Sequence, residues 1–116
     1  RRTSSAASDV YKRQGLPYGI RKNVELARAL CTSPKILLLD EPSSGLTNEE
    51  TNDLGFWIKD IQSILKITII MIEHDMSFVN KVSDKILALN YGEILASGLP
   101  SEIKEDAGVK AAYMGE

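Results

Sequence analysis

The sequence has one cysteine, Cys31, and one histidine, His74. A single thiol excludes an internal disulfide and any metal site built on several cysteines, and it fits a reducing compartment. Long hydrophobic runs are also missing: no apolar stretch approaches the roughly 18 residues that a membrane-spanning helix needs. The amino end is charged and Ser-rich, without the apolar segment of a secretory signal. Positive charge is not in excess either. The formal net charge is −2, which offers no electrostatic footprint for nucleic acid. What remains is ordinary for a globular chain: 116 residues, 43% hydrophobic and 26% charged, enough for one domain or part of one, with the cytoplasm as its default location.

The first fourteen residues, RRTSSAASDVYKRQ, are polar and basic and lack periodicity. SAASDVYKRQ also resembles an adapter-derived read-through at the end of an assembled sequence fragment. Residues 1–14 are therefore expected to be a disordered tail or a scar, and folded patterning to begin near Gly15. From Gly19 to Leu30 the pattern is helical, with Ile20, Val24, Ala27 and Cys31 on one stripe widened by Leu26 and Leu30. Pro34 ends it. Ile36 to Leu39 is a short, wholly apolar run, which predicts a central strand covered on both faces. Asn48 to Leu65 reads as a helix. Thr47 or Asn48 can cap it, Glu49 and Glu50 suit its positive end, and Leu54, Trp57, Ile58, Ile61 and Leu65 share a face. A second β-branched run, Ile67 to Ile72, completes a strand–helix–strand crossover with parallel strands. A short helix at Met76 to Val82 follows. A hairpin at a sheet edge is then expected from Lys85 to Leu89 and Glu93 to Ala96 about the turn Asn90-Tyr91-Gly92. Two short helices, Pro100 to Lys104 and Gly108 to Met114, close the chain. The last is expected to pack on its own domain through Val109, Ala112 and Tyr113.

Both apolar runs end in groups that do chemistry: Asp40-Glu41 after the first, Glu73-His74-Asp75 after the second. Ligands of open parallel sheets gather outside the carboxyl ends of the strands, so the two clusters are expected on one edge. A buried strand cannot keep a carboxylate, so these charges must reach solvent, a cation or hydrogen-bond donors. Asp40 suits Mg²⁺, which takes one or two carboxylates beside phosphate oxygens. Glu41, one residue on, points elsewhere and can orient or deprotonate a water. Upstream, Pro17-Tyr18-Gly19 opens a helix whose free N–H groups suit an anion. The plainer reading is that Asp40 and Glu41 only end a strand, that His74 is a loop residue, and that this helix start binds nothing.

Together, LPYGIRK, ILLLDEP, SSGL and IEHD, in this order, resemble the carboxy-terminal half of an ABC-transporter ATPase, from Gly15 to the end. LPYGIRK is similar to the family's signature motif, ILLLDEP to its Walker B strand, SSGL to its D-loop and IEHD to its switch-histidine region. LPYG, DEPSSGL, IEHDM and the ending AAYMGE are most similar to the ATPases of branched-chain amino acid uptake; the lipopolysaccharide-export ATPase resembles the tail as well. The resemblance implies an α/β fold, a partial P-loop NTPase with a parallel βαβ core, a carboxy-terminal antiparallel hairpin and short helices. It implies ATP and Mg²⁺ as ligands. Asp40 would hold the Mg²⁺ shell, Glu41 would be the catalytic base, and His74 would contact the γ-phosphate. Leu16, Pro17, Tyr18 and Gly19 would meet ATP held by a second ABC ATPase subunit, and Ser43, Ser44, Gly45 and Leu46 would lie along that dimer interface. Integral membrane permease subunits would be the other partners, with the protein peripheral on the inner face of the plasma membrane and no role for nucleic acid.

The sequence departs from the family pattern at Pro17, where a serine is usual, at Ile20, usually polar, and at Thr47, where Asp or Asn is common. It contains no G-x-x-x-x-G-K-[ST], whose amides and lysine cradle phosphates. A base without that cradle has no substrate, so the chain is expected to be a truncated fragment, inactive alone and with open, aggregation-prone sheet edges. Three rivals are weaker. A phospho-acceptor receiver domain also ends a buried strand in aspartate, but needs an earlier acidic pair and a later Lys-Pro strand end, both missing. DNA-repair or translation ATPases of this class tend to carry insertions that the helix at 48–65 lacks. A purely structural remnant would have no reason to keep Asp40, Glu41 and His74.

Overall fold

A computed structural model describes residues 17–113. In chain order the elements are α1 (Tyr18–Leu30), β1 (Ile36–Asp40), α2 (Asn48–Leu65), β2 (Thr68–Ile72), α3 (Met76–Val82), β3 (Ile86–Asn90), β4 (Glu93–Gly98), α4 (Pro100–Glu105) and α5 (Ala107–Tyr113). β1 and β2 pair in parallel, in a register that sets Ile36 beside Thr68 and Asp40 beside Ile72. This is the crossover expected from the alternation of apolar run, amphipathic helix and apolar run.

The connecting helix begins where its chemistry says it should. Thr47 is its N-cap: the hydroxyl accepts from Glu50 N at 3.1 Å, and the Glu50 carboxylate accepts from Thr47 N at 2.9 Å. This reciprocal pair satisfies two of the free amides at the helix start. At the other end Lys66 adopts φ 58°, a left-handed cap that turns the chain into β2. Leu54, Ile58 and Ile61, spaced at i, i+4 and i+7, are the buried stripe. Trp57 and Leu65, expected on that face, are instead half-exposed at its margins.

Three apolar clusters hold these elements together. Leu37, Ile61 and Ile67 join β1 to α2; Leu54, Ile58, Phe78 and Val82 join α2 to α3; and Val79, Ile86, Ala88, Ile103 and Val109 join α3, β3 and the two last helices. Val109, with no exposed surface, seats α5 on its own domain, while Ala112 and Tyr113, expected on the same packed side, are exposed.

Several expectations are corrected. α1 packs through Leu26, Ala29 and Leu30, whereas Ile20, Ala27 and Cys31 are exposed, so its buried stripe is rotated from the one read along the sequence. β1 is not covered on both faces: Leu37 is buried, but Leu38 is 71% exposed, and Ile36 of β1 and Ile70 and Ile72 of β2 are exposed as well. α1 and α2 pack on one side of the parallel pair, and no described element covers the other. The hairpin forms, antiparallel, with a bulge between Ala88 and Leu89. It is a separate two-stranded sheet, however, not the edge of the parallel one. No helix among the described residues is long and apolar enough to cross a membrane.

Candidate functional site

The carboxyl ends of β1 and β2 lie side by side, and Asp40, Glu41, Glu73 and His74 sit there. Asp40 is the last residue of β1. Glu41 then leaves the extended conformation at φ 47°, a left-handed geometry uncommon outside glycine, asparagine and aspartate. Its backbone is held on both sides: Glu41 N donates to Ile72 O at 2.8 Å and Glu41 O accepts from Ser44 N at 3.1 Å. That turn removes Glu41 from the alternation of the strand and sends its side chain across to the neighbouring loop. There its Oε1 lies 3.0 Å from His74 Nδ1, with both side chains at least half-exposed.

Asp40 is exposed, and no described residue hydrogen-bonds its carboxylate. An unpaired carboxylate at the end of a parallel strand suits Mg²⁺, an ion that commonly binds one or two protein carboxylates and completes its shell with water and phosphate oxygens. No cluster of three or more potential metal ligands occurs among the described residues.

The Pro42–Leu46 loop is braced from two directions. Lys22 Nζ, from α1, donates to the carbonyls of Pro42 at 3.1 Å and Glu41 at 3.3 Å. Glu73, at the end of β2, accepts from Ser43 N at 2.8 Å through Oε2 and from His74 N at 3.3 Å through Oε1. Ser43 is thereby buried, and Leu46 turns inward against the Leu54–Ile58–Phe78 cluster, leaving Ser44 and Gly45 exposed. Asp75 leaves the site: its side chain caps α3 by accepting from Phe78 N at 3.1 Å.

The glycine-containing helix start meets the same loop. Gly45 has φ 78°, a backbone conformation that favours glycine, and a Cβ there would lie 2.7 Å from Tyr18 Cε2, so that a side chain would have to displace the ring. The Tyr18 ring also carries Arg21 and Lys22, with the cations 5.5 and 5.3 Å from its centroid. Gly19 is buried against the Glu50 carboxylate. Pro17 precedes the helix and makes no side-chain cap. Leu16 lies outside the described residues. Tyr18, Gly19, Ser43, Ser44, Gly45, Leu46, Asp40, Glu41 and His74 are thus gathered on one rim of the molecule.

Lys22 was not singled out by the sequence, and Glu73 only as a member of the polar cluster after the second apolar run, without a role of its own. A lysine near a helix amino terminus opposes the helix dipole, and that mismatch was the available signal for Lys22. Glu73 had only its place beside His74.

The sequence and the fold both have relatives. The family profile described as "ABC transporter" matches residues 3–44. The high-affinity branched-chain amino acid transport ATP-binding protein BraF of Pseudomonas aeruginosa is 44% identical over 101 residues, covering 87% of this chain and 40% of that protein. The corresponding LivG protein of Escherichia coli is 43% identical over the same length and shares. A sulfate/thiosulfate import ATP-binding protein of Agrobacterium fabrum is 41% identical over 85 residues, 73% of this chain and 25% of that protein. Among solved structures, the ADP conformation of MJ1267, an ATP-binding cassette of an ABC transporter, superposes with TM-score 0.78 at 30% identity, covering 88% of this chain and 41% of that one. The cbiO1 protein of Clostridium perfringens, part of the ABC transporter complex cbiONQ, gives TM-score 0.76 at 30% identity over 85% and 39% of the two chains. The chain spans about 40% of the length of the curated branched-chain relatives.

Proposed function

This chain is part of an ABC-transporter ATP-binding domain, and on that premise we propose that it supplies the catalytic edge of an ATPase that drives branched-chain amino acid import. The observation that carries the proposal is the Glu41–His74 pair, held at 3.0 Å at the common carboxyl end of two parallel strands. The BraF and LivG relatives supply the solute class.

In this reading Glu41 is the general base. Its carboxylate takes the proton of a water as that water's oxygen attacks the γ-phosphorus of ATP and the bond to the β–γ bridging oxygen breaks, giving ADP and phosphate. Such a base is typically worth about 10²- to 10⁴-fold in rate. His74, within hydrogen-bond reach of Glu41, orients that carboxylate and offers its other ring nitrogen to the γ-phosphate. Asp40 would hold Mg²⁺, which would neutralise charge developing on the phosphate oxygens. Pro17, Tyr18 and Gly19 present the amino end of α1 to nucleotide carried by a second ATPase subunit. Ser44 and Gly45, exposed on the same rim, line the contact between the two subunits, with Ser43 and Leu46 anchoring that loop from within. Permease subunits in the membrane are the remaining partners, which places the protein peripherally on the inner face.

The test is Glu41→Gln in the longer protein that also carries a phosphate-binding G-x-x-x-x-G-K-[ST] segment. Retained nucleotide binding with lost hydrolysis supports the assignment. Undiminished hydrolysis sinks it.

A further inference from the structure

We propose that Glu73 is a positioning residue that fixes Glu41 and His74 relative to each other, an inference that rests on the catalytic reading of that pair. The carboxylate of Glu73 spans the two loops that bear them. Oε2 accepts from Ser43 N, two residues beyond Glu41, at 2.8 Å, and Oε1 accepts from His74 N at 3.3 Å. Each oxygen thus holds one loop, and one side chain ties both.

The bond to Ser43 is one of three between these segments, beside the Glu41–His74 pair itself and one backbone bond. Glu41 N donates to Ile72 O, the residue before Glu73, at 2.8 Å. The Glu41 turn is therefore pinned to the end of β2 at its first residue by the backbone and at its third by Glu73. Without Glu73 the backbone tie to Ile72 and the Lys22 bonds to the Glu41 and Pro42 carbonyls persist, but the Ser43 end of the turn loses its bond to the end of β2 and can shift relative to His74. Ser43 is 8% exposed, so its amide, robbed of this partner, has poor access to water. Hydrogen bonds in which a carboxylate is the acceptor are about twice as strong as neutral ones, so an amide side chain is an incomplete substitute. Glutamine keeps the length of Glu73 but has one acceptor oxygen, and its NH₂ cannot receive an N–H. Glu73 itself touches no reacting atom in this arrangement; it acts through the two residues it holds.

The experiment compares the unsubstituted 116-residue chain with Glu73→Ala and Glu73→Gln by amide hydrogen exchange and by the nuclear Overhauser contact between the His74 ring and the Glu41 side chain. In Glu73→Ala the Ser43 and His74 amides should exchange about 10-fold faster or more, and the His74–Glu41 contact should vanish. The Ile58 and Val109 amides should be unchanged. Glu73→Gln should keep one of the two amides protected and lose the other. A His74–Glu41 contact that persists in Glu73→Ala overturns the proposal. If that variant does not fold, Glu73→Gln decides, and protection of both amides at the original level overturns it. In the longer ATPase, Glu73→Ala should lower kcat about 10-fold or more while KM for ATP stays within about 2-fold, and an unchanged kcat also overturns it. Loss of the Overhauser contact together with full hydrolysis by Glu41→Gln would instead remove the catalytic reading and leave the role of Glu73 as a tie intact.

Discussion

His74 Nδ1 stands 3.0 Å from Glu41 Oε1 across a separation of 33 residues. The parallel register makes this possible: Asp40 lies beside Ile72, so the chain leaves both strands at one level. The left-handed turn at Glu41 then directs its carboxylate sideways instead of along the strand. Glu41→Gln conserves length and removes the base. In the longer ATPase it is expected to lower phosphate release by about 10²- to 10⁴-fold while ATP remains bound. Phosphate release and retention of labelled ATP, measured side by side, separate the two effects.

The 116-residue chain by itself is expected to release no phosphate from Mg-ATP. Its sequence has no G-x-x-x-x-G-K-[ST] whose backbone amides and lysine would cradle the phosphates. Hydrolysis by the purified chain that disappears in Glu41→Gln would refute this. Activity that survives that substitution would point to a contaminant.

Gly45→Ala should destabilise the chain for two separable reasons. Its φ of 78° disfavours any Cβ, and the new methyl would lie 2.7 Å from the Tyr18 ring. The conformational part costs about 1 kcal/mol. Tyr18→Ala made in the same background should relieve the steric part only. A double-mutant cycle by denaturant unfolding measures the coupling, and a coupling of zero would mean that the ring yields freely.

Removing the Thr47 hydroxyl takes away the side-chain half of the box at the start of α2. Thr47→Ala should cost about 1 kcal/mol, in the range of about 0.5–2. Ile103→Ala, at a side chain only 2% exposed in the cluster that seats the last two helices, should cost more, about 2–5 kcal/mol. Equal effects in thermal or denaturant unfolding would contradict the distinction between a half-exposed cap and a packed core.

The bare face of the parallel pair should govern solubility. Leu38 is 71% exposed and Ile70 is 55% exposed, and adjacent apolar side chains on an open sheet promote association. Leu38→Thr with Ile70→Thr puts β-branched residues, suited to strands, at both positions. The pair should slow aggregation and reduce binding of a hydrophobic dye, with stability changed by less than about 1 kcal/mol. Unchanged dye binding would show that this face is not what the dye finds.

Much of the architecture was legible because local rules agreed with one another. α2 runs over the span read from its cap, its acidic first turn and its apolar spacing. The strand–helix–strand order made the parallel pairing the expected one. Placement of Asp40, Glu41 and His74 on one edge then followed from where each apolar run ends. Other features were not legible. Four aliphatics in a row say that both faces of β1 are apolar, not that both are covered. The stripe on α1 was misjudged because Ile20 and Cys31 look as suitable for burial as Leu26 and Leu30, and only the helix's rotation against its neighbours distinguishes them.

From the sequence alone came the elements, their parallel order and the chemical identity of the groups at the strand ends, since periodicity, capping and the position of charge after an apolar run are local properties. Tertiary structure alone decided how those groups are held. Lys22 and Glu73 brace the Glu41 loop through its carbonyls and amides, and Tyr18 closes on Gly45. Backbone groups are the same at every position, so no pattern of side chains announces which of them a distant residue will bind. That choice is made only when the elements pack.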